Sequence, residues 1–182
     1  MPCSSAHLRS SRSLPRAPDR PGAPAARHTG GVRIYLPASL DQLDPAAGAL
    51  TARRAHAVTP ALRALFPDED DEGLEFAAQL AAADDSLELL ATRPDVPQLR
   101  LVVSVDVPDA AIQPVTDDED VPSAVELVSA VEQADVICAH VDEPGAAPDV
   151  VLAAGGDEAA VDRLDERDLL WYDASELGSI PR

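Results

Sequence analysis

The chain has 182 residues, a formal net charge of -19 at pH 7 and only 3% aromatic residues. It contains no lysine and no asparagine, so all 14 basic residues are arginine. This length allows one ordinary domain with an aliphatic core. The charge disfavours nucleic acid and anionic membrane surfaces as partners, and no stretch approaches the run of about 20 apolar residues that a spanning helix needs.

Residues 1–31 differ in kind from the rest. They carry five arginines against one acid, Asp19, and are rich in Ser and Pro, which leaves 9 Arg and 32 acids, or -23, for residues 32–182. Without a continuous apolar segment this leader is no secretory signal, and its composition predicts disorder. A true start of translation at Val32 is the preferred expectation. Residues 32–182 are then a single acidic domain.

Within that domain, Val32-Arg33-Ile34-Tyr35-Leu36-Pro37 alternates and ends at proline, which predicts a first strand with Val32, Ile34 and Leu36 on one face. Ser39 caps a helix predicted to run to about Gly48, and a second strand is expected over 52–58. Thr59-Pro60 is a helix start, with Thr as N-cap and Pro at the first helical position; Pro67 ends that helix at Phe66. A long helix is predicted from about Asp71 to Ala91. Phe76, Leu80, Ala83, Leu87 and Leu90 fall on one line of its surface and predict its buried face, with Asp85 opposite on the wet side.

Leu101, Val103, Val105 and Val107 alternate with more polar neighbours and mark a strand. Residues 114–123, acidic and bounded by prolines, predict a loop. Strands are expected near 124–129 and 135–142, a helix near 145–154, a break at Gly155-Gly156, a polar helix to about Arg167 and a last strand over Asp168–Asp173. Mixed elements of this kind predict an α+β domain. Its sheet should be mixed but mostly antiparallel, of about five to six short strands, with three to four helices packed mainly on one face.

No P-loop, G-x-G-x-x-G, G-x-S-x-G or H-E-x-x-H motif occurs, and no nucleophile is marked for a serine–histidine–acid triad. Asp68-Glu69-Asp70-Asp71-Glu72-Gly73 matches the first half of a calcium loop. Position twelve, however, is Gln79 instead of a bidentate Glu, so the stretch reads as an acidic helix N-terminus favoured by the macrodipole. His140-Val141-Asp142 puts an imidazole and a carboxylate on one face of a strand. Asp106 ends another strand. If those strands are neighbours, His140, Asp142 and Asp106 are the candidate acid/base or catalytic groups. His140, Asp142 and His56 are the candidate ligands of a divalent cation.

Trp171 and Tyr35 are the candidate ligand-stacking residues, while Trp171-Tyr172 in a strand predicts one rim and one core contact. Cys138, within Val136-Ile137-Cys138-Ala139, reads as a buried small hydrophobe, and Cys3 lies in the leader; no structural disulfide is expected, as in a reducing cytoplasm.

Six stretches together carry a resemblance: Val32–Ala38, Ala57–Arg63, Glu72–Ala78, Val102–Ala110, Ala139–Asp142 and Leu169–Tyr172. They resemble an uncharacterised family of small acidic actinobacterial proteins, a domain of unknown function, from Val32 to about Leu177. Such proteins begin near this first strand and carry another acid where Gly73 stands. The resemblance implies no activity, cofactor or catalytic residue.

The functional expectation is therefore a non-enzymatic cytoplasmic interaction or regulatory domain that meets a basic protein surface by electrostatic steering. It requires no cofactor. The alternative is a metal-assisted enzyme or small-ligand-binding domain centred on His140, Asp142 and Asp106.

Overall fold

The computed structural model describes residues 31–51, 53–115 and 121–181. The leader, and the centre of the acidic loop at 116–120, lie outside the described residues.

Among the described residues seven strands form one sheet: β1 (Gly31–Ala38), β2 (Arg54–Ala57), β3 (Leu101–Pro108), β4 (Ile112–Pro114), β5 (Ala124–Leu127), β6 (Val136–Val141) and β7 (Leu170–Asp173). Their order is β4-β5-β2-β1-β3-β6-β7, and every pairing is antiparallel. The strand beyond the expected six is β4. Three residues ending in Pro114 are too few to show alternation, and proline is tolerated there because β4 lies at an edge. The expected helix after Ser39 is only a 3-10 turn, Leu40–Leu43. Gln42 Oε1 folds back to accept the Ser39 amide at 3.1 Å, and Pro45 follows within two residues.

Four α-helices are present among the described residues: α1 (Pro60–Leu65), α2 (Asp71–Ala91), α3 (Ala147–Ala154) and α4 (Glu158–Asp165). Thr59 caps α1 by accepting the Leu62 amide, and Asp70 caps α2 by accepting the Gly73 amide at 2.9 Å. Gly73 is thus the third residue of a regular helix and Asp71 is paired with Arg63. Residues 68–79 form a capped helix start instead of a calcium loop.

The sheet has two unlike faces. On one, Ile34, Leu36 and Ala38 of β1 stand opposite Val105, Val103 and Leu101 of β3, and all six are fully buried. With Ala55, Val125, Leu127, Ala139 and Val141 they form the main core, closed over by Leu40, Leu43, Leu50, Val131 and Ile180 from turns and short 3-10 segments. Helix α2 covers the other face across β1, β2 and β3. There Tyr35 and Val102 meet Leu74, Ala78 and Ala82. Helices α3 and α4 pack on the far end of α2 through Leu90, Val150, Ala153, Ala160 and Leu164.

The rotation of α2 about its axis differs from expectation. Ala83 and Leu90 are buried as expected, but Phe76 is 54% and Leu80 46% exposed. The residues against the sheet are Leu74, Ala78, Ala82 and Ser86. Small side chains there let the helix axis approach the strands. Ser86 fixes that approach: its hydroxyl donates to Ala38 O at 2.8 Å and accepts from the Leu101 amide at 3.0 Å. Asp85, expected in water, turns inward instead.

Enlarging Ala82 to leucine is therefore expected to destabilise the fold by about 1–3 kcal/mol through overpacking. Leu80→Ala should stay within about 0.5 kcal/mol of the parent. Urea unfolding of the two variants checks the rotation.

Candidate functional site

A groove of about 500 Å³ opens between the N-terminal half of α2 and strands β1, β3, β6 and β7. Its floor is Ser104 of β3 with Cys138 and His140 of β6. One wall is Glu72, Glu75, Phe76 and Gln79 of α2, and the opposite wall is Trp171 of β7. Tyr35 and Arg33 of β1 also line it. Strand pairing sets these neighbours. Ser104 stands opposite Cys138 and His140 opposite Trp171, so alternate residues of three adjacent strands share one face.

Two side-chain atoms at the floor are buried and have no hydrogen-bond partner among the described residues: Ser104 Oγ and His140 Nδ1. Ser104 is 1% exposed. A buried polar group left without a partner costs about 1–3 kcal/mol, and both atoms are closed to solvent, so neither is presented to an occupant of the groove. Burial holds the His140 imidazole below its ordinary pKa, which leaves it neutral near pH 7 with one ring nitrogen free to accept. Tyr35 is buried to 4% exposure and donates its hydroxyl to Glu75 Oε2 at 2.9 Å. Burial and that carboxylate push the phenol pKa up, so Tyr35 stays neutral. Trp171, by contrast, is 58% exposed, while Tyr172 packs against the main core.

His140 also makes stability depend on pH. Its folded pKa lies below the unfolded value, so the unfolded chain takes up the proton first as pH falls. The contribution is complete above the unfolded value near 6.5 and is lost as pH drops through the lowered folded value. The stability difference between the parent and His140→Gln is expected to be flat above about pH 7 and to shift against the parent below about pH 6.5. Urea midpoints of both proteins across that range measure it.

Three of the candidates read from the sequence, His140, Tyr35 and Trp171, meet in this groove; the others lie elsewhere. Asp106 pairs with Arg33, its cross-strand partner, at 2.9 Å on the surface. It sits four residues along β3 from Val102, the partner of His140, or about 13 Å at the rise of a strand. Asp142 is 2% exposed and held by Arg100. Its Oδ2 accepts the Arg100 amide at 2.8 Å, its Oδ1 accepts Nη2 at 2.9 Å, and Arg100 Nη2 also donates to Leu164 O.

His56, in β2, is three strands from β6, about 14 Å across the sheet. The expected shared cation site of His140, Asp142, Asp106 and His56 therefore does not assemble. Among the described residues no group of three or more His, Cys, Asp or Glu side chains is placed to hold a metal ion.

His56 instead belongs to a buried network that the spacing of residues did not reveal. Its Nδ1 lies 2.9 Å from Ser123 Oγ and its Nε2 3.0 Å from Asp85 Oδ2, and Asp85 is also paired with Arg54 at 3.2 Å. Serine, histidine and aspartate in series resemble a hydrolytic triad in composition. But His56 is 0% and Ser123 2% exposed, so substrate has no route to the hydroxyl. The series ties α2 to β2 and to the segment before β5.

Comparison with known proteins gives one relation. The model of a family described as a family of unknown function, DUF6912, matches residues 32–180. No curated protein and no solved structure matches the chain. Among the described residues no helix is long and apolar enough to cross a membrane.

Proposed function

We propose, starting from the fact that the chain belongs to the family of unknown function DUF6912, that it is a non-enzymatic recognition domain. Its groove between α2 and β7 holds a basic segment of a protein partner. The observation that carries this reading is a groove lined by the exposed side chains of Phe76 and Trp171 beside the carboxylates of Glu72 and Glu75.

Two further features support it. Phe76 and Trp171 are large apolar side chains left exposed on the groove lining, and aromatic residues of this kind are typical anchors of an interface. The net charge of -19 favours a cationic partner and speeds its approach. Cys138 is a free, buried thiol, which suits the reducing cytoplasm in which we place the protein.

The test is capture from lysate on immobilised protein at about 50 mM and about 500 mM salt, since the Debye length shrinks several-fold over that range. A specific protein retained by the parent at low salt should be released at high salt and should not be retained by Trp171→Ala at either. Retention that is indifferent to both salt and Trp171 contradicts the reading.

A further inference from the structure

We infer that the groove between α2 and β7 is an arginine site: it takes the guanidinium of one arginine side chain of a protein partner, stacked between Phe76 and Trp171. This rests on the recognition reading above and specifies its chemistry.

The walls are aromatic and exposed, Phe76 at 54% and Trp171 at 58%, and stand on opposite sides of the opening, on α2 and β7. Two such faces accept a flat group. The floor beneath them, Ser104 and Cys138 with the neutral imidazole of His140, carries no positive charge to repel a cation. Glu72 and Glu75 stand on the helix wall. Glu75 accepts the neutral phenol of Tyr35 and faces Arg33 through space. The one cation on the lining is Arg33, whose Nε and Nη2 donate to Asp106 at 2.9 and 3.2 Å. Its charge is thereby offset.

A flat cation suits the aromatic walls and the acidic helix side at once. Guanidinium is planar, carries five donors, stacks on aromatic faces and is weakly hydrated. An ammonium group shares its charge but neither its shape nor its low hydration cost. An anion would face Glu72 and Glu75.

The chain contains a single tryptophan, so its fluorescence reports on this wall alone. The probes are three blocked tripeptides, Gly-Arg-Gly, Gly-Lys-Gly and Gly-citrulline-Gly, the last a neutral analogue of almost the same shape as the first. Gly-Arg-Gly should change Trp171 emission saturably and bind at least tenfold tighter than the citrulline peptide and several-fold tighter than the lysine peptide. Phe76→Ala and Glu75→Gln should each weaken it several-fold. Both variants retain the buried contacts of α2, and an unchanged melting curve verifies that they are folded.

Equal binding of the arginine and citrulline peptides overturns the inference, because the charge would then be irrelevant. No response to any peptide, with a lysate protein still lost on Trp171→Ala, overturns it too and leaves the recognition reading standing. Capture of the partner that is indifferent to Trp171 defeats the recognition reading itself, whatever the peptides do.

Discussion

Replacing Asp142 by alanine is expected to destabilise the domain by about 3–5 kcal/mol, because it leaves a buried guanidinium without its counter-charge. Arg100 is 5% exposed and Asp142 2%, and the two carboxylate oxygens accept the Arg100 backbone amide as well as its side chain. Removing the carboxylate therefore orphans both the charge and an amide at the start of β3. The pair joins the end of β6 to the start of β3 and, through Arg100 Nη2 and Leu164 O, to α4. Replacing both partners at once, Arg100→Met with Asp142→Leu, is expected to recover most of the loss, since the cost lies in breaking the pair and not in lacking it. Urea unfolding of the single and double variants measures this. A double variant as unstable as the single would mean that the amide, and not the charge, is the group that matters.

His56→Ala is the second large effect, expected at about 2–4 kcal/mol from the cavity and from the stranded Ser123 hydroxyl. Asp85 keeps Arg54 as a partner, so its charge is not abandoned, which holds the loss below that at Asp142. The same network makes a clear statement about chemistry. Because His56 and Ser123 are closed to solvent, an active-site-directed fluorophosphonate should leave Ser123 unmodified in the native protein. Mass spectrometry of the treated protein checks that, and stoichiometric labelling of Ser123 would show that the cover over β2 opens to substrates.

The elements were largely legible and their juxtaposition was not. Helix α2 is announced at its start and along its length: Pro67 forces a break, acids cluster at its N-terminus, and the apolar residues recur at helical spacing. The buried face differs from the expected one because the line with the largest side chains, Phe76 and Leu80, is not the line that approaches the sheet. Close packing on β1 and β3 selects the small residues Ala78 and Ala82, and size alone gives no hint of that. The apparent wet face then held Asp85, whose partner His56 is 29 residues away.

The groove shows the same division. His140, Tyr35 and Trp171 each stood out, but they come from β6, β1 and β7, which the order β1-β3-β6-β7 places side by side. Nothing local in the sequence specifies that order. Ser104 passed unnoticed as the polar member of an alternating strand. Phe76 lies on an apolar helix line that by itself predicts burial. The Arg100–Asp142 pair did leave a signal: a basic residue just before one apolar strand run and an acidic residue just after another, matching ends of two strands that turn out to be neighbours in antiparallel register.

The groove between α2 and β7 is the proposed binding face. An amide NMR footprint of the isotope-labelled protein, titrated with the partner retained from lysate, tests it most directly. Perturbations should concentrate at Phe76, Gln79, Ser104, His140 and Trp171, with the turn-covered face around Leu43, Leu50 and Val131 unchanged. A footprint centred on that opposite face, or on α3 and α4, would contradict the account.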